Sequence, residues 1–168
     1  MVSSYPMAKR LADKGQWPQF MGLVACYYQL MPVVFGREYH DMPEDLRAVF
    51  ALECYSGHGD GVLEVREAVK KLPKQGARSL PDAYASQPEI TIYRAGAEPP
   101  EKAGDALSWT WDRRTAEWFL HEYAQRHAKY LYQAAIRPSD VIGCITSRNE
   151  SEIVQFRNIH DLQILEEL

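Results

Sequence analysis

The sequence predicts an α+β fold in which helices come first and a mostly antiparallel sheet follows. Apolar residues recur at helical spacing in the first part of the chain, whereas short alternating segments rich in β-branched and aromatic residues fill the second. A stretch rich in Pro, Gly, Ser and Gln, residues 73–88, separates the two patterns. The chain has 168 residues, 46% of them hydrophobic. We therefore expect a single domain over residues 1–168, with a helical part, 1–72, and a β-rich part, 89–168.

The first part predicts three helices. A dense apolar run over residues 17–30 predicts a buried helix that ends before Pro32, because proline disfavours a helical residue before it. Asp41 is suitably placed to cap a second helix. The alternating glycines of residues 56–61 predict a turn, and a third helix is expected over about residues 62–72.

The second part predicts six short strands and one helix between the second and the third of them. Asp112 can cap this helix, and its apolar face is expected to run from Ala116 to Tyr123. The strands are predicted at residues 90–93, 106–110, 130–136, 141–145, 152–156 and 162–165.

Composition restricts the class of protein. The formal net charge is -4, and acidic and basic residues are interspersed, so the surface gives no general attraction to nucleic-acid phosphates. Cys26, Cys54 and Cys144 form no CxxC pair, which predicts reduced thiols and no metal site. The longest apolar stretch, residues 20–35, falls short of the ~20 apolar residues of a membrane span, and no apolar signal core is visible. We expect a cytoplasmic protein with no membrane partner.

Three separated features carry residue types suited to chemistry. Arg94 ends a predicted strand, and Ser108 and Thr110 lie two residues apart on the next one. Glu150 and Glu152 come late in the chain. On an extended strand residues i and i+2 point to the same side, so both glutamates are expected to face one cleft.

In their order these features resemble the arginine, serine, glutamate signature of the ADP-ribosyltransferase superfamily. The resemblance begins at Tyr55: residues 55–69 resemble the tyrosine, turn and helix that precede the family's first strand, and residues 108–119 its serine strand and following helix. Trp109 departs from the family, which often has threonine in the middle of the serine triplet. Residues 1–40 show no such resemblance. The resemblance implies a split β-sheet core behind N-terminal helices.

The resemblance also implies that NAD is the substrate and that no metal takes part. Cleavage of the bond between nicotinamide and ribose develops positive charge on the sugar, which a carboxylate stabilises more in the transition state than in the ground state. Glu152 is our candidate, and in the family this glutamate hydrogen-bonds a ribose hydroxyl. Glu150 would orient or deprotonate the incoming nucleophile.

The remaining candidates hold the dinucleotide. The planar guanidinium of Arg94 suits the pyrophosphate oxygens, and Ser108 would order the cleft by hydrogen bonding to NAD or to Glu152. An aromatic ring, Trp111, Phe119 or Tyr93, would stack on nicotinamide. The catalytic candidates are therefore Arg94, Ser108, Glu150 and Glu152. The NAD-binding candidates are Arg94, Ala95, Gly96, Ser108, Trp109, Thr110, Trp111 and Phe119.

The resemblance implies a mono-ADP-ribosyltransferase that moves ADP-ribose from NAD to a macromolecular acceptor, protein arginine or nucleic acid, and releases nicotinamide. The Glu-x-Glu form resembles members that modify arginine, although some relatives modify nucleobases. The small size and the absence of a delivery domain favour an intracellular toxin or phage-related modifier, with a neutralising antitoxin protein as a partner. Two alternatives stay open. One is an NAD glycohydrolase, and the other is a non-catalytic module that binds a partner through the helices of residues 1–72.

Overall fold

A computed structural model describes residues 4–58, 61–123, 127–146 and 151–168. The chain forms two compact units, Met1–Leu72 and Pro73–Leu168. The first unit is helical, and the second contains an antiparallel sheet. The predicted α+β class is therefore confirmed. Within the described ranges, no helix is both long enough and apolar enough to cross a bilayer.

Aromatic side chains form the core of the first unit. Phe35 stacks on Phe50 with ring centroids 5.2 Å apart, and Phe20 packs against Phe50 at 5.8 Å. All three rings are buried, which explains why the short helices that carry them are held together. The α-helices of this unit are α1 Tyr5–Asp13, α2 Trp17–Cys26, α3 Met31–Phe35, α4 Glu44–His58 and α5 Leu63–Lys70, and the three rings lie on α2, α3 and α4.

Three details of the first unit differ from the prediction. The helix expected over residues 17–30 is interrupted, and Pro32 lies in the first turn of α3, where its missing N–H costs nothing. Asp41 belongs to a 3₁₀ turn, Glu38–Asp41, and α4 begins only at Glu44, so Asp41 does not cap it. The expected glycine turn is also partly wrong, since α4 continues through Gly57 to its end.

The sheet of the second unit has six strands: β1 Ile90–Gly96, β2 Ser108–Thr110, β3 Tyr130–Ile136, β4 Gly143–Ile145, β5 Glu152–Val154 and β6 His160–Glu167. Their order in the sheet is β4-β5-β2-β1-β3-β6, and every neighbouring pair is antiparallel. Strands β5, β2 and β1 are therefore neighbours in the sheet, although β5 comes many residues after β2 in the chain.

The two faces of this sheet bury different residues. One face holds the larger core, in which Ile92, Trp109 and Ile153 are buried together with Tyr132. The other face packs against the helix that follows β2. Side chains alternate between the two faces along each strand. Residues at even and at odd positions of β1 therefore contact different neighbours.

Two helices accompany the sheet, α6 Asp82–Ala85 and α7 Arg113–Trp118. The α7 helix continues into a π-helical turn, Phe119–Tyr123, and buries Ala116 and Leu120 against Leu131. Tyr123 is 72% exposed, although the sequence predicted it on the buried face. The π turn has more residues per turn than an α-helix, so α-helical spacing no longer identifies the buried positions.

Candidate functional site

A cleft with a volume of about 120 Å³ opens beside α7. This volume is smaller than the roughly 300–1,000 Å³ of typical small-molecule sites. The strands β1, β2 and β5 and the helical segment after β2 supply its walls. The lining residues are Tyr93, Arg94, Ala95, Ser108, Trp109, Thr110, Thr115, Ala116, Phe119 and Glu152.

Strand register explains why residues far apart in the chain meet here. Tyr93 of β1 is paired with Thr110 of β2, and Thr110 is paired with Glu152 of β5. Directly paired residues of antiparallel strands point to the same face, so these three form a row across the sheet. Ser108 lies two residues before Thr110 and therefore on the same side of β2.

The Arg94 guanidinium connects β1 to neighbouring segments. Its Nε–H donates to Oε1 of Glu98 at 2.5 Å, and an Nη1–H donates to the carbonyl oxygen of Ser108 at 2.8 Å. The Arg94 side chain keeps 20% of its surface exposed. Two acceptors thus hold this guanidinium, and Arg94 is among the residues that line the cleft.

Glu152 begins β5 and is buried, with 7% of its surface exposed. Its strand partners are Thr110 on one side and Ile145 on the other. Ser151 has a φ of 50°, in the left-handed region, so the chain is not extended across it. The alternation argument that predicted Glu150 on the side of Glu152 does not apply across such a residue. Glu150 itself lies outside the described residues.

The connection from β2 to α7 is fixed by side chains. The hydroxyl oxygen of Thr110, a buried residue, accepts the N–H of Asp112 at 3.0 Å. Asp112 caps α7, as the sequence predicts, because one carboxylate oxygen accepts the N–H of Arg114 at 3.0 Å. The other accepts the hydroxyl of Thr115 at 2.9 Å, and Thr115 lines the cleft.

The aromatic candidates have different surroundings. Tyr93 and Phe119 line the cleft. Trp111 is not among the described residues that do, and its ring packs on Tyr84 with centroids 4.8 Å apart. Trp109 borders the cleft but is 2% exposed, and its indole N–H donates to the Ala106 carbonyl at 3.1 Å, so its ring is mainly core.

Ala95 and Gly96 are neighbouring candidates for NAD binding, and Ala95 lines the cleft. Gly96 is not among the described residues that line it. A side chain at Gly96 would collide with the carboxylate of Glu98, the residue that accepts from Arg94.

Sequence reasoning missed Glu98, which follows the end of β1 in a segment with no regular pattern. It also missed Thr115 and Ala116 as lining residues, although both fall within the predicted helix after β2.

The cysteines of the described chain are free thiols, as the sequence predicts. Burial raises the pKa of Cys144 from its ordinary value of 9.0 to about 11, and the negative charge of Glu152 adds to the effect. Burial likewise raises the pKa of Cys54 to about 12. Both groups are protonated near neutral pH, so neither is an activated nucleophile.

One group of described residues has donor atoms close enough for a metal ion. Atoms of Glu89, His160 and Asp161 lie within 4.8 Å of one another. They are outside the cleft lining, and Nε2 of His160 lies 2.7 Å from Oε1 of Glu89. A hydrogen-bonded pair at a solvent-facing position accounts for this arrangement without an ion.

Comparison with known proteins gives no relative. No protein-family model matches the chain, and neither do curated proteins or solved structures. The function of this protein is therefore inferred from the chemistry of the cleft.

Proposed function

We propose that this protein is an NAD-dependent mono-ADP-ribosyltransferase that moves ADP-ribose from NAD to a macromolecular acceptor, releases nicotinamide, and acts as an intracellular toxin. One observation carries the proposal. Arg94, Ser108 and Glu152, which come from three adjacent strands, all line a single cleft.

The carboxylate suits the bond-breaking step. When the bond between the ribose C1′ and the nicotinamide nitrogen breaks, its electron pair leaves with nicotinamide and positive charge develops on the sugar. Glu152 is 7% exposed, and a charge acts more strongly where water is largely excluded. The acceptor then forms a bond to C1′ and releases a proton. A carboxylate can receive this proton, and Glu150, two residues before Glu152 in the sequence, is our candidate.

The cation and the aromatic rings suit the rest of the dinucleotide. A guanidinium carries five N–H donors, and among the described residues Arg94 uses two of them, on Glu98 and Ser108, which leaves donors for pyrophosphate oxygens. Tyr93 and Phe119 are the cleft-lining rings that could stack on nicotinamide. Ser108 offers a hydroxyl for hydrogen bonding between these two ends.

Labelled NAD tests the proposal. The protein is incubated with cell lysate and NAD carrying biotin on its adenine, and label retained on macromolecules is measured. We expect transfer by the wild type and a loss of about a hundredfold or more in Glu152→Gln, which keeps the shape but removes the charge. Glu101→Gln is the matched control, since Glu101 is an exposed carboxylate of the same unit.

The outcomes separate the alternatives. Label released by protease identifies a protein acceptor, and label released by nuclease identifies a nucleic acid. Free ADP-ribose without macromolecular label supports an NAD glycohydrolase. No NAD turnover by either protein supports a non-catalytic binding module, and equal turnover by wild type and Glu152→Gln excludes Glu152 as the catalytic carboxylate. As a toxin, the wild type should stop growth on expression, and Glu152→Gln should relieve the arrest.

A further inference from the structure

Glu98 contacts the candidate site through Arg94. Its carboxylate accepts the Nε–H of Arg94 at 2.5 Å, and about one fifth of each side chain is exposed, 20% and 22%. Glu98 does not appear among the described residues that line the cleft. We propose that Glu98 is a positioning residue, which fixes the Arg94 guanidinium so that its remaining donors meet the pyrophosphate of the bound dinucleotide. This inference rests on the proposed function.

The backbone of Glu98 is itself anchored. The hydroxyl of Tyr132 donates to the Glu98 carbonyl oxygen. Tyr132 is fully buried, and it is the direct partner of Arg94 in the pairing of β1 with β3. Burial first, and then the charge of Glu98, raise the pKa of Tyr132 to about 12, so the phenol remains a donor near neutral pH. Tyr132 thus places Glu98 beside Arg94.

Gly96 provides the space that the Glu98 carboxylate occupies. A Cβ built at Gly96 would come within 2.6 Å of the carboxylate carbon and closer still to one of its oxygens. Any larger residue at position 96 would have to displace this carboxylate. Gly96 therefore affects the position of the Glu98 carboxylate, and through it the Arg94–Glu98 pair, although Gly96 is not among the described residues that line the cleft.

Two opposing effects follow from the pair, and they can be separated. Holding the guanidinium in place lowers the entropy cost of binding, because a free arginine side chain has many rotamers to lose. The negative charge of Glu98 also repels a pyrophosphate. Replacement by glutamine keeps an oxygen that can accept the Nε–H and removes the repulsion. Replacement by alanine removes both.

Binding of ADP-ribose, which contains the pyrophosphate, tests the role without requiring turnover. Isothermal titration is carried out on the wild type and on Glu98→Gln, Glu98→Ala and Gly96→Ala. We expect Glu98→Gln to bind as tightly as the wild type or more tightly, and the other two to bind about five- to tenfold more weakly, as loss of one hydrogen-bonded anchor predicts. Glu101→Ala is the control for removal of an exposed carboxylate.

Nicotinamide gives the second measurement, because it has no phosphate. Its binding, followed by NMR, should be the same in all variants, which a general disruption of the cleft would not allow. The proposal is overturned if Glu98→Ala binds ADP-ribose as well as the wild type or better, or if nicotinamide affinity falls in parallel. ADP-ribose binding by the wild type without any transfer or hydrolysis of NAD overturns the enzymatic proposal alone. No ADP-ribose binding by a folded wild type overturns both.

Discussion

Thr110 and Glu152 lie directly opposite each other on neighbouring antiparallel strands, and each keeps 7% of its surface exposed. Thr110 also accepts the N–H of Asp112, the residue that caps α7. The strand that faces the candidate carboxylate is thereby connected to the helix on the other side of the cleft. We therefore expect substitutions at Thr110 and Asp112 to lower the stability of the site, and to affect its chemistry only as a consequence of that loss.

The first prediction concerns the Thr110 hydroxyl. Valine has nearly the same shape but offers no acceptor, so Thr110→Val leaves the N–H of Asp112 without its side-chain partner. We expect the free energy of unfolding to fall by about 1–2 kcal/mol. Thr110→Ser keeps the acceptor and is the matched control. Urea denaturation near neutral pH measures both, and an equal loss in the two variants would contradict the role of the hydroxyl.

The second prediction concerns the cap of α7. Asp112→Ala removes the acceptors of the Arg114 N–H and the Thr115 hydroxyl, and we expect a loss of ~1 kcal/mol in the free energy of unfolding. Asp112→Asn retains a capping oxygen and should lose less. The control is Asp82→Ala, because Asp82 lies at the start of α6, where no side chain among the described residues caps the helix. If Asp82→Ala lowered the free energy of unfolding as much as Asp112→Ala does, the loss would come from removal of a negative charge and not from loss of the cap.

Local signals were enough to predict several parts of the second unit. Asp112 precedes an apolar helical pattern, and it caps α7 as predicted. Each of the six predicted strands overlaps an observed one, because alternation and turn residues are properties of a short segment. The ends are less accurate, as in β6, which extends over His160–Glu167 instead of residues 162–165. The pairing of distant strands is not a local property, so the sequence predicted part of the cleft lining without its register.

Other parts depend on contacts that the sequence does not display. Glu98 accepts from Arg94 only because Tyr132 holds its backbone and Gly96 leaves room for its carboxylate. The π turn after α7 displaces Tyr123 from the buried face, and no residue pattern marks such a turn. In these places tertiary packing overrides the local preference on which sequence reasoning depends.

The third prediction concerns pH and stability. The folded pKa of Cys144 is about 11, above its ordinary value of 9.0. Below about pH 9 the thiol is protonated in both states, and between about pH 9 and about pH 11 only the unfolded state loses the proton. Stability should therefore fall as pH rises through this interval. Cys144→Ser, which does not ionise there, should show a shallower fall between about pH 7.5 and about pH 10.5 in urea denaturation under reducing conditions. Identical slopes would exclude Cys144 as a source.

The fourth prediction uses the thiols to report on Glu152. Alkylation by iodoacetamide requires an accessible thiolate, so the exposed Cys26 should react first at mildly alkaline pH, and Cys54 and Cys144 should lag. Burial is the main cause of the raised pKa of Cys144, and the charge of Glu152 is the second. Glu152→Gln removes that charge and should accelerate alkylation of Cys144 while leaving the rate at Cys54 unchanged. Peptide mass spectrometry over time measures each cysteine separately.

Equal acceleration at Cys54 and Cys144 would mean that the Glu152→Gln substitution loosens the whole fold. No acceleration at Cys144 would mean that Glu152 carries no negative charge near this thiol.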